Sequence, residues 1–249
     1  MTPLLIAALC LTMVATSFLS GLFGMAGGMI LIAVLLAVLP LPAAMALHAA
    51  TQMASNGWRA LLWYRHCRWK VVAAYIAGCG LALGVWSLWM YVPSKPLALI
   101  FLGVTPFIVR LFPADIKPDP ESLPQGVFYG TICMTLMLLT GVAGPLLDTY
   151  MLGGRLDRRE IVATKALCQV AGHAFKLVYF GGIIEQAASL DPVLVTLAIV
   201  ASMLGTTLAR RFLEAMTDAQ YRLWANRLIT ATASYFVIHG SYLLVVSRL

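Results

Sequence analysis

Ten apolar runs separated by short polar loops take up nearly all of the 249 residues, at roughly 3–20, 25–39, 43–64, 71–91, 96–112, 124–139, 141–153, 160–181, 191–210 and 221–246. Runs of this kind enter or span a bilayer, where a backbone with no water to bond must close its hydrogen bonds within a helix or a barrel. Charged residues make up 11% of the chain, against about 25% in a soluble domain. The expected fold is an all-α polytopic membrane protein, with membrane lipid as its surroundings and no soluble domain. The net charge of +7 comes from 17 Lys+Arg against 10 Asp+Glu. Most of that excess lies in short loops, as the positive-inside rule requires, so a nucleic-acid partner is not implied.

Two of the runs, 25–39 and 141–153, are too short for a hydrocarbon core of about 30 Å. Each follows a glycine break, Gly24 to Gly28 in one case and Gly141 to Gly144 in the other. The reading is two broken or re-entrant helical hairpins, 3–39 and 124–153, with about six full spans between and after them. Irregular backbone at membrane depth is tolerated only inside the protein or against a wet cavity, so both breaks should point inward.

Loop charge sets the orientation. Arg65 to Lys70, the loop 110–123 (Arg110, Asp115, Lys117, Asp119, Glu121), Arg155 to Glu160, and Arg210, Arg211 and Arg222 fall on the cytoplasmic side. Leu39 to Pro42, Tyr91 to Pro96 and the acidic stretch Glu185 to Asp191 fall outside, which places both termini outside. No Lys or Arg precedes Arg59, so 3–20 reads as a retained membrane helix rather than a signal peptide.

Adding 117 to each number lays 24–63 on 141–180 without a gap. Gly24 falls on Gly141, Gly27 on Gly144, Gln52 on Gln169, Asn56 on His173, Arg59 on Lys176 and His48 on Lys165. Segment 43–64 runs outward to inward and 160–181 the reverse, so the copies are inverted-topology repeats. Their bounds are 1–112 and 124–249, joined by a cytoplasmic linker at 113–123. Broken helices meeting near the midplane are the architecture of many secondary transporters.

Each copy carries a polar stripe with spacings of four, four and three: His48, Gln52, Asn56, Arg59 and Lys165, Gln169, His173, Lys176. Such residues share one helical face, and polar or charged groups inside a span usually face an interior cavity. Competing readings stand beside this one. Arg59 and Lys176 are near enough to helix ends to snorkel, and the glutamines can bond between helices. The histidines can be structural, and the glycines can serve close packing. The expected depths put His48 and Lys176 toward the outside, Arg59 and Lys165 toward the cytoplasm, and the glutamines between. The short helices opened by Gly24, Gly27, Gly28, Gly141 and Gly144 would aim free N–H groups at an anion. His48, Asp148 and Lys165 are candidates for gating or proton coupling, with Asp148 free to pair with a cation of the stripe. The five cysteines form no C-x-x-C pair, no metal, cofactor or catalytic group is indicated, and no P-loop pattern is present.

The pattern S-x-L-S-G-L-F-G-M-A-G-G-M-I-L at 17–31, followed by Leu39-Pro40 and the polar helix, resembles the sulfite exporter TauE/SafE family over about residues 5–245. The second copy departs from it, with Gly144-Pro145 where the first has Gly27-Gly28. The resemblance implies a bacterial inner-membrane permease for small sulfur-containing anions such as sulfite, sulfoacetate or related organosulfonates. Outward transport is the leading direction, and a homodimer is one assembly it allows. The alternatives are an importer or channel-like uniporter of another small anion such as thiosulfate, and a non-catalytic subunit of a membrane complex. An enzyme is not expected.

Overall fold

A computed structural model describes residues 3–23, 26–111, 118–152, 155–183 and 191–246. Gly24, residues 112–117, which include the start of the expected linker, and most of the acidic stretch at 185–191 lie outside the described residues, as do the side chains of Arg110, Arg210 and Arg222. Among the described residues there are ten α-helices and no strand. They are α1 (Pro3–Phe23), α2 (Ala26–Val38), α3 (Leu41–Trp63), α4 (Trp69–Trp89), α5 (Lys95–Arg110), α6 (Leu123–Thr140), α7 (Gly144–Leu152), α8 (Arg158–Val178), α9 (Pro192–Ala215) and α10 (Asp218–Val246).

Among the described residues six helices are long and apolar enough to cross a membrane: α1, α4, α6, α8, α9 and α10. Their number is as expected, but their membership differs. The first arm of each hairpin, α1 and α6, is a candidate span, and only the second arms are short, at 13 residues in α2 and 9 in α7. By contrast α3, with 23 residues, drops out because its polar stripe lowers its hydropathy. It is instead a core helix, buried at nearly every position from Leu41 to Asn56. The apolar part of α5, Lys95–Ile108, is too short to count.

Local chemistry sets the ends. Pro42 opens α3 from the first turn, where a missing N–H costs nothing and a fixed φ helps. A capping box opens α8: the Asp157 carboxylate accepts from the N–H groups of Arg159 and Glu160, and Glu160 accepts from the N–H of Asp157. Gly141 closes α6 in the left-handed region at φ 87°, which glycine adopts without strain. Beyond α8 the chain continues as a π turn over Tyr179–Ile183, and beyond α3 as a 3₁₀ turn over Tyr64–His66.

In tertiary packing α1 lies on α9, α4 on α6, α3 on α8 and α5 on α10. The α4–α6 contact brings backbones together: a Cβ built on Gly78 would collide with the Val127 carbonyl, and one on Gly130 with the Tyr75 carbonyl. Close approach through small residues is how membrane helices gain packing where burial from water gives no advantage. The core helices α3 and α8 thus sit between the α1–α9 and α4–α6 pairs, with the short helices starting against them.

Candidate functional site

The two polar stripes face each other along the α3–α8 contact. Gln52, on α3, and Gln169 and His173, on α8, line one small cavity with Gly28 of α2 and Gly144 of α7. Met137, Val142, Ala143 and Leu147 complete its walls. Both short helices begin there, and the first N–H groups of a helix have no partner within it. Gly28 leaves room for the amide beside it, since a Cβ at that position would stand 3.2 Å from Gln52 Oε1.

Three buried polar atoms around the cavity have no hydrogen-bond partner: Gln52 Nε2, Gln169 Oε1 and His173 Nδ1. Such orphans cost about 1–3 kcal/mol each and are rare in folded proteins. The cavity holds only about 10 Å³, the room of roughly one water. A cavity of this size is too small for a sulfur oxyanion until the helices shift.

The charged members of the stripes stand back from the cavity, each held by its own partners. His48 is wholly buried; its Nε2–H donates to the Gly28 carbonyl at 2.9 Å, and its Nδ1 accepts from Lys176 Nζ at 2.6 Å. Because a carbonyl only accepts, Nε2 carries the proton of the ring, which leaves Nδ1 to accept from the Lys176 side chain. Lys176 Nζ also donates to the Gly141 carbonyl at 2.9 Å, across the end of α6. The expected depth match of His48 and Lys176 thus appears as a direct bond that ties α3 to α8. Lys165 and Asp148 form an ion pair, the pairing with a stripe cation foreseen for Asp148. Arg59, half-buried, donates from Nη2 to the Ser20 carbonyl at 2.9 Å in the last turn of α1, where the helix dipole favours a cation. Asn56 turns back on its own helix and donates to the Gln52 carbonyl at 2.9 Å. Gly27 is a packing residue, because a Cβ there would collide with the Thr16 carbonyl on α1. Of the candidate residues, then, Gly28, Gln52, Gly144, Gln169 and His173 line the cavity, while Gly27, Gly141, Asn56, Arg59 and Lys176 build its surroundings.

Three contributors escape a reading of the chain alone. Met137 and Leu147 wall the cavity, yet as sequence they are indistinguishable from lipid-facing residues. Ser55 bonds Thr206 at 2.7 Å, locking α3 to α9; its place one residue before Asn56 is the only local hint. Among the described residues no group of three or more His, Cys, Asp or Glu side chains is placed to hold a metal ion.

A helical membrane protein whose two buried polar helices enclose a small cavity, with two short helices starting against it, has the build of a membrane transporter. The chain matches the family described as Sulfite exporter TauE/SafE over residues 9–236. It belongs to that family, a family of transporters of sulfur anions. No curated protein and no solved structure gives a significant match.

Proposed function

We propose that this protein is a secondary carrier that moves a small sulfur-containing anion, sulfite or an organosulfonate such as sulfoacetate, out across the bacterial inner membrane. The observation that carries the reading is the set of unpartnered groups at Gln52, Gln169 and His173 around the starts of α2 and α7. Uncompensated donors and acceptors are expected where a ligand supplies the missing partners. Gln52 Nε2–H and the first-turn N–H groups of both short helices donate to the anion's oxygens. A protonated oxygen on the ligand, or a water carried with it, satisfies an acceptor.

Alternating access about this cavity is supported by the order of contacts. Under the 117-residue offset α1 corresponds to α6, α2 to α7, α3 to α8, α4 to α9 and α5 to α10. The α1–α9 contact then has its counterpart in α6–α4, α3–α9 in α8–α4, and α2–α10 in α7–α5. The stripes repeat the relation: His48 and Lys165 each hold the short helix of their own half, through Gly28 and Asp148. Arg59 and Lys176 each reach a carbonyl near the end of the first helix of their half, at Ser20 and Gly141. In this reading the His48–Lys176 bond and the Lys165–Asp148 pair, which each tie a stripe to its surroundings, would open in turn to expose the site to one side and then the other.

Isothermal titration of detergent-purified protein with sodium sulfite tests the site. Gln52→Leu and Gln169→Leu should each weaken binding roughly tenfold or more, the equivalent of ~1–3 kcal/mol. Undiminished binding in both would sink this site. Flux in oriented vesicles then reads direction, with net entry overturning export.

A further inference from the structure

Lys176 is fully buried, and both of its partners are neutral: Nδ1 of His48 and the carbonyl of Gly141. Lys165 pairs with Asp148 and Arg68 with Glu121 and Glu160, and among the described residues no ion pair reaches Lys176. An isolated ammonium in a low-dielectric interior is strongly unfavourable unless an opposite charge stands close. The cavity adjoins both partners of Lys176. His173 lines it and sets its ring edge-on against His48, with centroids 5.4 Å apart. Gly141 leads directly into Val142, Ala143 and Gly144, which also line it.

Resting on the carrier reading above, we infer that the bound anion is the counter-charge of Lys176, and that a proton joins the Lys176–His48 pair as the anion enters and leaves with it. The proton comes from the water on the side the anion comes from and returns to the water on the other side. A monoanion then crosses with no net charge moved, and the cavity itself needs no cation in contact with the ligand. The other ionisable groups on the packing elements do not fill this role. Asp148 on α7 is already held by Lys165. Tyr150, also on α7, donates to the Pro120 carbonyl, and Tyr179 in the π turn donates to the Tyr91 carbonyl. Tyr75 and Cys79 on α4, Cys133 on α6 and Cys168 on α8 are neutral in their ordinary buried form. By reciprocity, if the anion brings a proton then protons tighten the anion, so affinity falls as pH rises.

The test is titration of detergent-purified protein with sodium sulfite at neutral pH in two buffers of different ionisation enthalpy, which reads protons taken up per anion. Sulfite's own protonation is common to wild type and variants, so the difference between them reports the lysine pair. Wild type should exceed Lys176→Met by about one proton per anion. Lys176→Arg, whose charge is permanent, should bind sulfite without that uptake, and it serves where the methionine variant fails to fold. Equal uptake in wild type and Lys176→Arg overturns this inference and leaves the carrier reading standing. No binding of sulfite to folded wild type overturns both.

Discussion

At the scale of residues, the buried bond between His48 and Lys176 has two ends of unequal consequence. Removing the histidine leaves a buried amine short of an acceptor and frees the Gly28 carbonyl. Replacing the lysine by an apolar chain of similar length removes the buried amine itself, which offsets the two acceptors left without a donor, His48 Nδ1 and the Gly141 carbonyl. His48→Leu should therefore lower stability by about 1–3 kcal/mol, while Lys176→Met is close to neutral. Thermal unfolding in detergent measures both, and a double variant that unfolds with Lys176→Met rather than with His48→Leu completes the check. The opposite order would mean that the bond does not set the protonation and packing described here. Asn56 makes a complementary point. It shares the stripe by spacing, yet its amide is spent on the Gln52 carbonyl, so position on a helical face does not decide where a side chain turns.

Individual helices are held by features of different visibility. The α4–α6 contact depends on missing Cβ atoms. Gly130→Leu should lose about 1–3 kcal/mol or more through overpacking against the Tyr75 backbone. Gly84, on the same helix as Gly78, has open space where a Cβ would go, so Gly84→Ala should gain up to ~1 kcal/mol from helix propensity. Detergent melting temperatures of the two variants should move in opposite directions. At the start of α8 the Asp157 carboxyl is held below its ordinary range, chiefly by the N–H of Glu160 that it accepts. A lowered folded-state value means the cap helps the folded state above the unfolded value and is lost as pH falls through the folded one. Asp157→Asn, which still caps, should flatten the acid-side decline in helicity and stability followed by circular dichroism. A decline as steep as that of wild type would place the acid sensitivity elsewhere.

For the molecule as a whole, the orientation expected from loop charge, with both ends outside, makes a prediction of its own. In a background free of its own cysteines, Ser94→Cys should react with an impermeant maleimide in intact cells whose outer membrane has been opened. Arg65→Cys should react only after the inner membrane is broken as well. Equal labelling of both under the first condition would contradict the inverted arrangement on which alternating access rests. The small cavity adds a requirement: a sulfur anion does not fit in about 10 Å³, so transport needs relative movement of α3 and α8 with their short helices. The hydrogen bonds that join the stripes are the contacts such a movement must break and remake.

The division between what was legible in the chain and what was not follows the range of the forces involved. Apolar run length sets helix number, glycine and proline set helix ends, and four-residue spacing puts polar groups on one face; all act within a few residues. For that reason ten helices, two short second arms and two facing stripes could be read directly. Which stripe residue reaches the cavity depends on contacts more than a hundred residues apart, such as Lys176 with His48 or Ser55 with Thr206. No local signal encodes them. The walls from Met137 and Leu147, the small size of the cavity and the three unpartnered atoms are likewise products of how apolar surfaces close on one another. The sequence by itself determined the polar inventory of the site. Only the tertiary structure decided that its basic groups find their partners behind the cavity and its neutral groups face into it, because the cost of burying a polar or charged group is settled by distance to a partner in space, not along the chain.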